Sequence, residues 1–292
     1  MLTTTVLACR CPKLIAPAMN TNMYENPVTQ DNLEILRRYG WEVIEPASGR
    51  LACGAVGKGK MPEPEDLLQH ILRHLALPHD LIGKRVVVTA GPTQEALDPV
   101  RYLTNHSTGK MGYAIAKMAM LRGADVTLIS GPTAITPPHF VNVVNVVSAQ
   151  DMFEAVAEQS ADADLIFKAA AVADYTPTDY NDNKIKKKDG DLSIPLKRTQ
   201  DILKYLGEHR RADQVICGFS METENMLENS QEKLTKKNVD MICANNLKQA
   251  GAGFGVDTNV ITVITKDGYT ELPLQSKEAA ANAILDQAMQ LL

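Results

Sequence analysis

The feature that most constrains the fold is an alternation. Between residues 85 and 245, short β-branched apolar runs take turns with segments whose apolar residues recur at helical spacing. The first run, R-V-V-V-T-A from Arg85 to Ala90, is bounded by Gly91-Pro92 and reads as a buried strand. The pattern then predicts a helix over 110–122, strands at 125–130 and 141–147, a helix at 149–160 and a strand at 165–173. A helix at 201–209, a strand at 215–219, a helix at 224–238 and a strand at 241–245 continue it. Strands apolar on both faces need helices on both sides, so the expected class is a doubly wound, Rossmann-like α/β sheet. Near the end, residues 260–265 and 269–272 flank Lys266-Asp267-Gly268, a hairpin by its D-G turn, and a last helix spans 276–291.

Leu77-Pro78-His79-Asp80 is a short polar break and marks a boundary between 1–79 and 80–292. Ahead of it come apolar pieces at 3–8 and 13–16, a loop from Pro17 to Met23, and a helix over 27–39 with Leu33, Ile35 and Leu36 inward. A short strand at 41–44, a glycine-rich stretch from Gly49 to Met61 and a helix over 64–75 follow. The glycines predict a flap or tight wrap without regular structure. This opening reads like a partial α/β domain entered halfway, with Met1 an internal methionine of a longer fused chain, or a split or engineered start.

A net charge of −5 gives no electrostatic footprint for nucleic acid or an anionic membrane. No apolar run approaches the ~18 residues of a membrane span, so the expectation is a soluble, cytoplasmic protein. Five cysteines, with no C-x-x-C pair, suit a reducing compartment.

The densest group of polar side chains is Asp98 to Gly112, D-P-V-R-Y-L-T-N-H-S-T-G-K-M-G. A helix starting near Ser107 or Gly109 aims unpaired backbone N–H groups and the positive end of its dipole into this loop, a ready seat for an anion. Lys110 and Arg101 add charge. An ordinary N-cap is the competing reading, but a plain connection needs only ~4 to 6 residues and no such cargo. The loop is neither a Walker loop nor G-x-G-x-x-G.

In an open α/β sheet the loops after the strand carboxyl ends converge on one crevice. In Ala169-Ala170-Ala171-Val172-Ala173-Asp174-Tyr175, small residues allow close approach of a ligand to backbone, and Asp174 is either a turn acid or a partner for a ribose hydroxyl or a metal-bound water. Lys184-Ile185-Lys186-Lys187-Lys188 is either a solvated face or a cationic lid of the kind phosphoryl and nucleotidyl transfer needs. Lys233 and Lys237 share one helix face, paired with Glu228 or Glu232 at the surface or turned toward a ligand. Cys53 reads as a small turn residue.

N-H-S-T-G-K-M-G preceded by G-P-T-x-E-x-L-D-P-V-R-Y closely resembles the phosphopantothenate-cysteine ligase family, which in bacteria is usually fused behind a flavin-dependent phosphopantothenoylcysteine decarboxylase. P-A-M-N-x-x-M at Pro17 to Met23 and A-C-G-x-x-G-x-G-K-M at Ala52 to Met61 are similar to that decarboxylase's substrate clamp and cysteine flap. The resemblance implies CTP-dependent joining of cysteine to 4'-phosphopantothenate through an acyl-cytidylate, with Mg2+ held mainly by the triphosphate. It implies roles for Asn105 on the acyl carbonyl and for Lys184 on the polyphosphate. Arg101, Ser107, Gly109, Lys110, Ala170 and Ala171 fall to the pantothenate substrate. The nucleotide falls to Asp174, Phe219, Lys233 and Lys237, with Gly218 to Thr223 matching G-F-x-x-E-T. Thr199-Gln200-Asp201-Ile202 stands where the family shows N-P-D-I, so Gln200, Asp201, Ile202 and Leu203 join the nucleotide set despite two departures. Cys53 and Asn20 carry the decarboxylase roles, with FMN as cofactor. Only 16 residues precede Pro17, whereas the family's flavin loop and active-site histidine come before that motif, so decarboxylation is expected to be impaired. A homodimer through the ligase portion is implied, and a larger homo-oligomer with a complete decarboxylase. Two other classes compete. A dinucleotide-dependent oxidoreductase fits the alternation but lacks G-x-G-x-x-G; a non-catalytic regulatory subunit on a decarboxylase scaffold leaves Asn105 and Lys184 unemployed.

Overall fold

The computed structural model describes residues 1–186, 192–222, 225–246 and 255–292, in two compact units, Met1–Pro78 and His79–Leu292. Among the described residues no helix is long and apolar enough to cross a membrane.

In the first unit, Leu14–Ile15 and Glu42–Val43 pair in parallel. The helix Pro27–Arg38 starts on Asn26, whose side chain accepts from the Val28 N–H, with Pro27 in the first turn where no N–H is needed. It buries Leu33, but Ile35, expected inward, is exposed: with only a two-residue strand pair to cover, the helix has room to bury one row. The glycine-rich stretch departs from expectation more sharply. It is an antiparallel hairpin, Ala47–Arg50 with Val56–Lys60, whose register shifts between Ala47 and Ser48, and Cys53 lies in its turn. Gly59 makes this possible, because at φ +141° its backbone lies against Met19, where a Cβ would come within 2.1 Å of the Met19 carbonyl oxygen. The expected loop after Pro17 contains a short helix, Thr21–Tyr24, capped by the Asn20 side chain.

The second unit is built on an eight-stranded sheet. Its strands are β1 (Arg85–Ala90), β2 (Asp125–Ser130), β3 (Asn142–Asn145), β4 (Leu165–Lys168), β5 (Val215–Glu222), β6 (Met241–Asn246), β7 (Ile261–Thr265) and β8 (Gly268–Glu271). The spatial order is β8-β7-β6-β5-β4-β1-β2-β3, parallel except where β7 and β8 add an antiparallel edge. The helices are α1 (Lys110–Leu121), α2 (Ala149–Ser160), α3 (Ile202–His209), α4 (Met226–Lys236) and α5 (Lys277–Met289). Val88, Leu128, Ile166, Phe167, Ile216 and Ile242 are almost fully buried in the layers between sheet and helices. The chain winds outward from β1 through β2 and β3, then crosses to β4 on the other side of β1 and winds the opposite way. The switch point between β1 and β4 opens a crevice at the strand carboxyl ends.

What bounds that crevice differs from the sequence reading in two ways. The strand expected over 165–173 ends at Lys168, because the backbone beyond it turns to other partners: the Ala170 N–H donates to Thr89 Oγ1, the Ala171 N–H to the Gly91 carbonyl and the Ala173 N–H to Thr93 Oγ1. The stretch read as one loop after Gly91 holds a hairpin, Gln94–Ala96 with Tyr102–Thr104, and a second hairpin pairs Tyr175–Pro177 with Leu196–Arg198. Asp98 joins these two arms. Its buried carboxylate accepts from the backbone N–H groups of Val100, Arg101 and Ile185 and from Arg101 Nε, while Arg101 Nη2 donates to the Ile185 carbonyl. Lys184 is thereby tethered, through its neighbour Ile185, to the D-P-V-R turn.

Candidate functional site

Two cavities, of about 430 and 280 Å³, open at the crevice. They share one wall, made by Lys168, Val172, Asp174 and Phe219.

The first cavity lies on the β5 side. Gln200, Asp201, Ile202 and Leu203 line it from the start of α3, and Lys233 and Lys237 reach it from α4. The two lysines are not paired outward as a surface reading would have it. Lys233 Nζ donates to the Phe219 carbonyl at 3.1 Å, and Lys237 forms an ion pair with Asp201. Asp201 caps α3 by accepting from the Lys204 N–H at 2.9 Å. Burial pushes the Asp201 carboxyl up, but Lys237 and the Lys204 N–H outweigh it and hold the group below its ordinary value.

The second cavity lies at the mouth of α1. Ser107, Gly109, Lys110, Ala170 and Ala171 line it, with Asn245, Asn259 and Lys277 opposite. Gly109 caps α1 at φ +82°, and Gly112 lets the helix press on β1, since a Cβ there would meet the Ala90 Cβ at 2.6 Å and the Thr89 carbonyl oxygen at 2.8 Å. The first N–H groups of α1 thus face a lined hollow. Lys110 Nζ is held by Asp257 Oδ1 at 2.7 Å and the Gly255 carbonyl at 2.6 Å. Lys277, 7% exposed, donates to the Val256 and Thr258 carbonyls; burial and then Lys110 lower its pKa. Asn245 Oδ1 is buried without a hydrogen-bond partner among the described residues.

Three of the residues predicted for the ligase site lie outside both cavities: Asn105, Arg101 and Lys184. Asn105 Nδ2 donates to the Ala171 carbonyl at 2.9 Å, so its amide stands beside the second cavity. Arg101 and Lys184 sit on the joined arms, engaged as described above. Lys187, Lys188 and Thr223 lie outside the described residues.

Lys168, Asn245, Asn259 and Lys277 were not expected. Lys168 matters most, for it stands at the tip of β4, opposite Thr89 on β1 and Gly218 on β5, where the two cavities meet. Burial, then the charge of Lys233, lowers its pKa to about 8, although a partly exposed edge keeps it open to the cavities. Its one signal in the sequence is a charged residue ending an apolar run.

In the first unit, Asn20 Nδ2 donates to Cys53 Sγ at 3.3 Å. The Ala55 backbone N–H, and after it this amide, lower the Cys53 thiol pKa. A thiol beside an amide is present; the parallel strand pair of this unit is two residues long, and the helix Leu2–Ala8 buries none of its side chains. Among the described residues no group of three or more His, Cys, Asp or Glu converges to hold a metal ion.

Residues 81–292 match the family described as DNA/pantothenate metabolism flavoprotein, C-terminal domain, and residues 1–76 match the flavoprotein family. The coenzyme A biosynthesis bifunctional protein CoaBC of Bacillus subtilis (strain 168) is 48% identical over 291 residues, covering 98% of this chain and 71% of the relative. The crystal structure of a CoaBC C-terminal domain superimposes with a TM-score of 0.62 at 46% identity, over 72% of this chain and 97% of that one. A Cab2 mutant in complex with phosphopantothenate-cysteine shares the fold at 17% identity, with a TM-score of 0.62 over 78% of this chain and 93% of that one. Two matched domains and a relative of this identity, aligned along almost the whole chain, make the protein a member of the CoaBC family of coenzyme A biosynthesis enzymes, with a ligase and a flavoprotein portion.

Proposed function

We propose that this chain joins cysteine to 4'-phosphopantothenate with CTP as co-substrate, through an acyl-cytidylate. The observation that carries the reading is the pair of cavities with a common wall. One is lysine-lined and the other lies on a helix N-terminus, so two anionic substrates can meet end to end. CTP is assigned to the first cavity, with Phe219 beside the base, Asp174 near the ribose, and Lys233 and Lys237 on the phosphates. Lys237 then exchanges its Asp201 partner for phosphate. The Mg2+ that such chemistry uses is assigned mainly to the triphosphate. The phosphate of 4'-phosphopantothenate is assigned to Ser107, Gly109 and Lys110 at the mouth of α1, with Asn245 Oδ1 taking a hydroxyl or amide proton from the pantothenate chain.

The substrate carboxylate attacks the α-phosphorus and pyrophosphate leaves. The cysteine amine then attacks the acyl carbon and CMP leaves. Asn105, set by Ala171, is the neutral donor for the carbonyl oxygen as it becomes tetrahedral. Arg101 and Lys184 are proposed to serve the cavity of a second copy, since the arm that carries them lines neither cavity of its own chain. A homodimer follows. Cys53 and Asn20 are assigned to decarboxylation, with FMN as its cofactor. Mass spectrometry of reaction mixtures tests the ligase reading. Asn105→Ala should accumulate acyl-cytidylate and Lys184→Gln should form none; absence of CTP-dependent pyrophosphate release from the unaltered chain refutes it.

A further inference from the structure

Lys168 has no part in the assignments above, yet it stands on the wall that the two cavities share, where both substrates would be in reach. It ends the strand at the topological switch point, and its ammonium is bonded only weakly, to the Ala170 carbonyl at 3.4 Å. The charges around it are Lys233 and Lys237 from α4, Asp201 from α3 and Asp174 beyond the strand, with Lys110 and Lys277 bordering the second cavity. Resting on the acyl-cytidylate reading, we propose that Lys168 is the proton acceptor of the amide-forming step, a catalytic residue at the junction of the two cavities.

Cysteine enters as an ammonium and must shed two protons to become an amide. One goes from its nitrogen to neutral Lys168 Nζ and the other to solvent. The C–N bond forms, the acyl C–O bond breaks, and CMP departs with that bond's electron pair. Charge therefore appears on Lys168 as negative charge grows on the leaving phosphate, so acceptor and leaving group stabilise one another. A lysine with a pKa of about 8 is partly neutral at working pH, whereas an ordinary lysine is not. Burial raises the Asp201 carboxyl, but Lys237 holds it below its ordinary value, so it is the poorer acceptor.

Lys168→Arg separates an acceptor from a mere cation, because a guanidinium keeps the charge and cannot give up its proton near neutrality. In single-turnover reactions with CTP and 4'-phosphopantothenate, the ratio of cysteine amide to pyrophosphate should fall about 100-fold or more in Lys168→Arg and in Lys168→Met. Hydroxylamine in place of cysteine, being uncharged at neutral pH, needs no acceptor for its first proton and should restore the ratio as hydroxamate. The wild-type amide-forming rate should rise with pH through about 8, and the Arg variant should lack that inflection. An unchanged amide ratio in Lys168→Arg, or a hydroxamate ratio as low as the amide ratio, overturns the proposal while leaving the ligase reading intact. No pyrophosphate from wild type sinks the ligase reading first. Lys168→Met keeps the test open if Arg does not fit, since removing the charge should not unfold the chain.

Discussion

Lys168 makes a strong prediction about stability, independent of any substrate. Its pKa falls from the usual 10.5 to about 8 in the folded chain, so the folded state disfavours the charged form. A displacement of that size corresponds to roughly 3 kcal/mol of penalty, at ~1.4 kcal/mol per pKa unit. The side chain is partly exposed, so about 1–2 kcal/mol is the realistic figure after solvent screening. Below pH 8 lysine is protonated in both states and the penalty is present in full. Between about 8 and 10.5 the unfolded chain binds the extra proton, so stability from this group rises with pH; above 10.5 both states are neutral and the penalty is gone. Lys168→Met, close in shape and uncharged, should therefore melt about 2–6 °C above wild type at pH 7 without ligand. The difference should shrink toward zero at pH 10.5 and above. Paired thermal unfolding curves at the two pH values read this directly. A Met variant that melts at or below wild type at pH 7, or keeps its full advantage at high pH, refutes the claim that the lysine is held against its preference. A residue that weakens the empty protein is a candidate for function, because nothing in the packing accounts for it.

Other perturbations probe the frame around the cavities. Gly112→Ala should destabilise the second unit by ~1–3 kcal/mol in a denaturant titration, because the new methyl meets β1 backbone and forces α1 outward; an unchanged midpoint would mean the helix has slack. Arg122, with a side chain 5% exposed, ties Asp80, Asn282 and Asp286 together. Arg122→Met should cost ~1–3 kcal/mol by the same measurement, less than for a fully buried network since both carboxylates can hydrate when the arginine goes. For Cys53, whose thiol is held below its ordinary pKa by the Ala55 N–H and then Asn20, Asn20→Ala should shift the pH dependence of iodoacetamide alkylation upward. Identical alkylation profiles would show that the amide does not act on the thiol.

The alternation of β-branched runs and helical segments was enough to place the sheet, because fully buried parallel strands tolerate little but Val, Ile and Leu. Their ends were less legible. Residues 169–173 are as apolar as a strand, and what removes them from the sheet is the capture of their N–H groups by Thr89 and Thr93, some 80 residues earlier. The three-residue hairpin strands that hold Asp98 and Lys184 are too short for a period to show. Cavity-lining residues that belong to motifs were found, from Ser107 to Lys110 and from Gln200 to Lys237. Lys168 was not, since what distinguishes it is the company of Asp201, Phe219 and Lys233, all brought together only by the winding of the sheet.

Three cations in or near the crevice share a design that bears on how an anion enters. Lys237 is held by Asp201, Lys110 by Asp257 and Arg101 by Asp98. On the assignment proposed above, a polyphosphate entering the first cavity would meet a lysine already turned inward and already stripped of much of its water. It exchanges one anionic partner for another, which avoids most of the desolvation that a bare surface lysine would require. Asp201 is not stranded by the exchange, for it keeps the Lys204 N–H at the start of α3. Lys168, with no carboxylate bonded to it among the described residues, stands apart from these three, which is the setting the proposed proton acceptor requires.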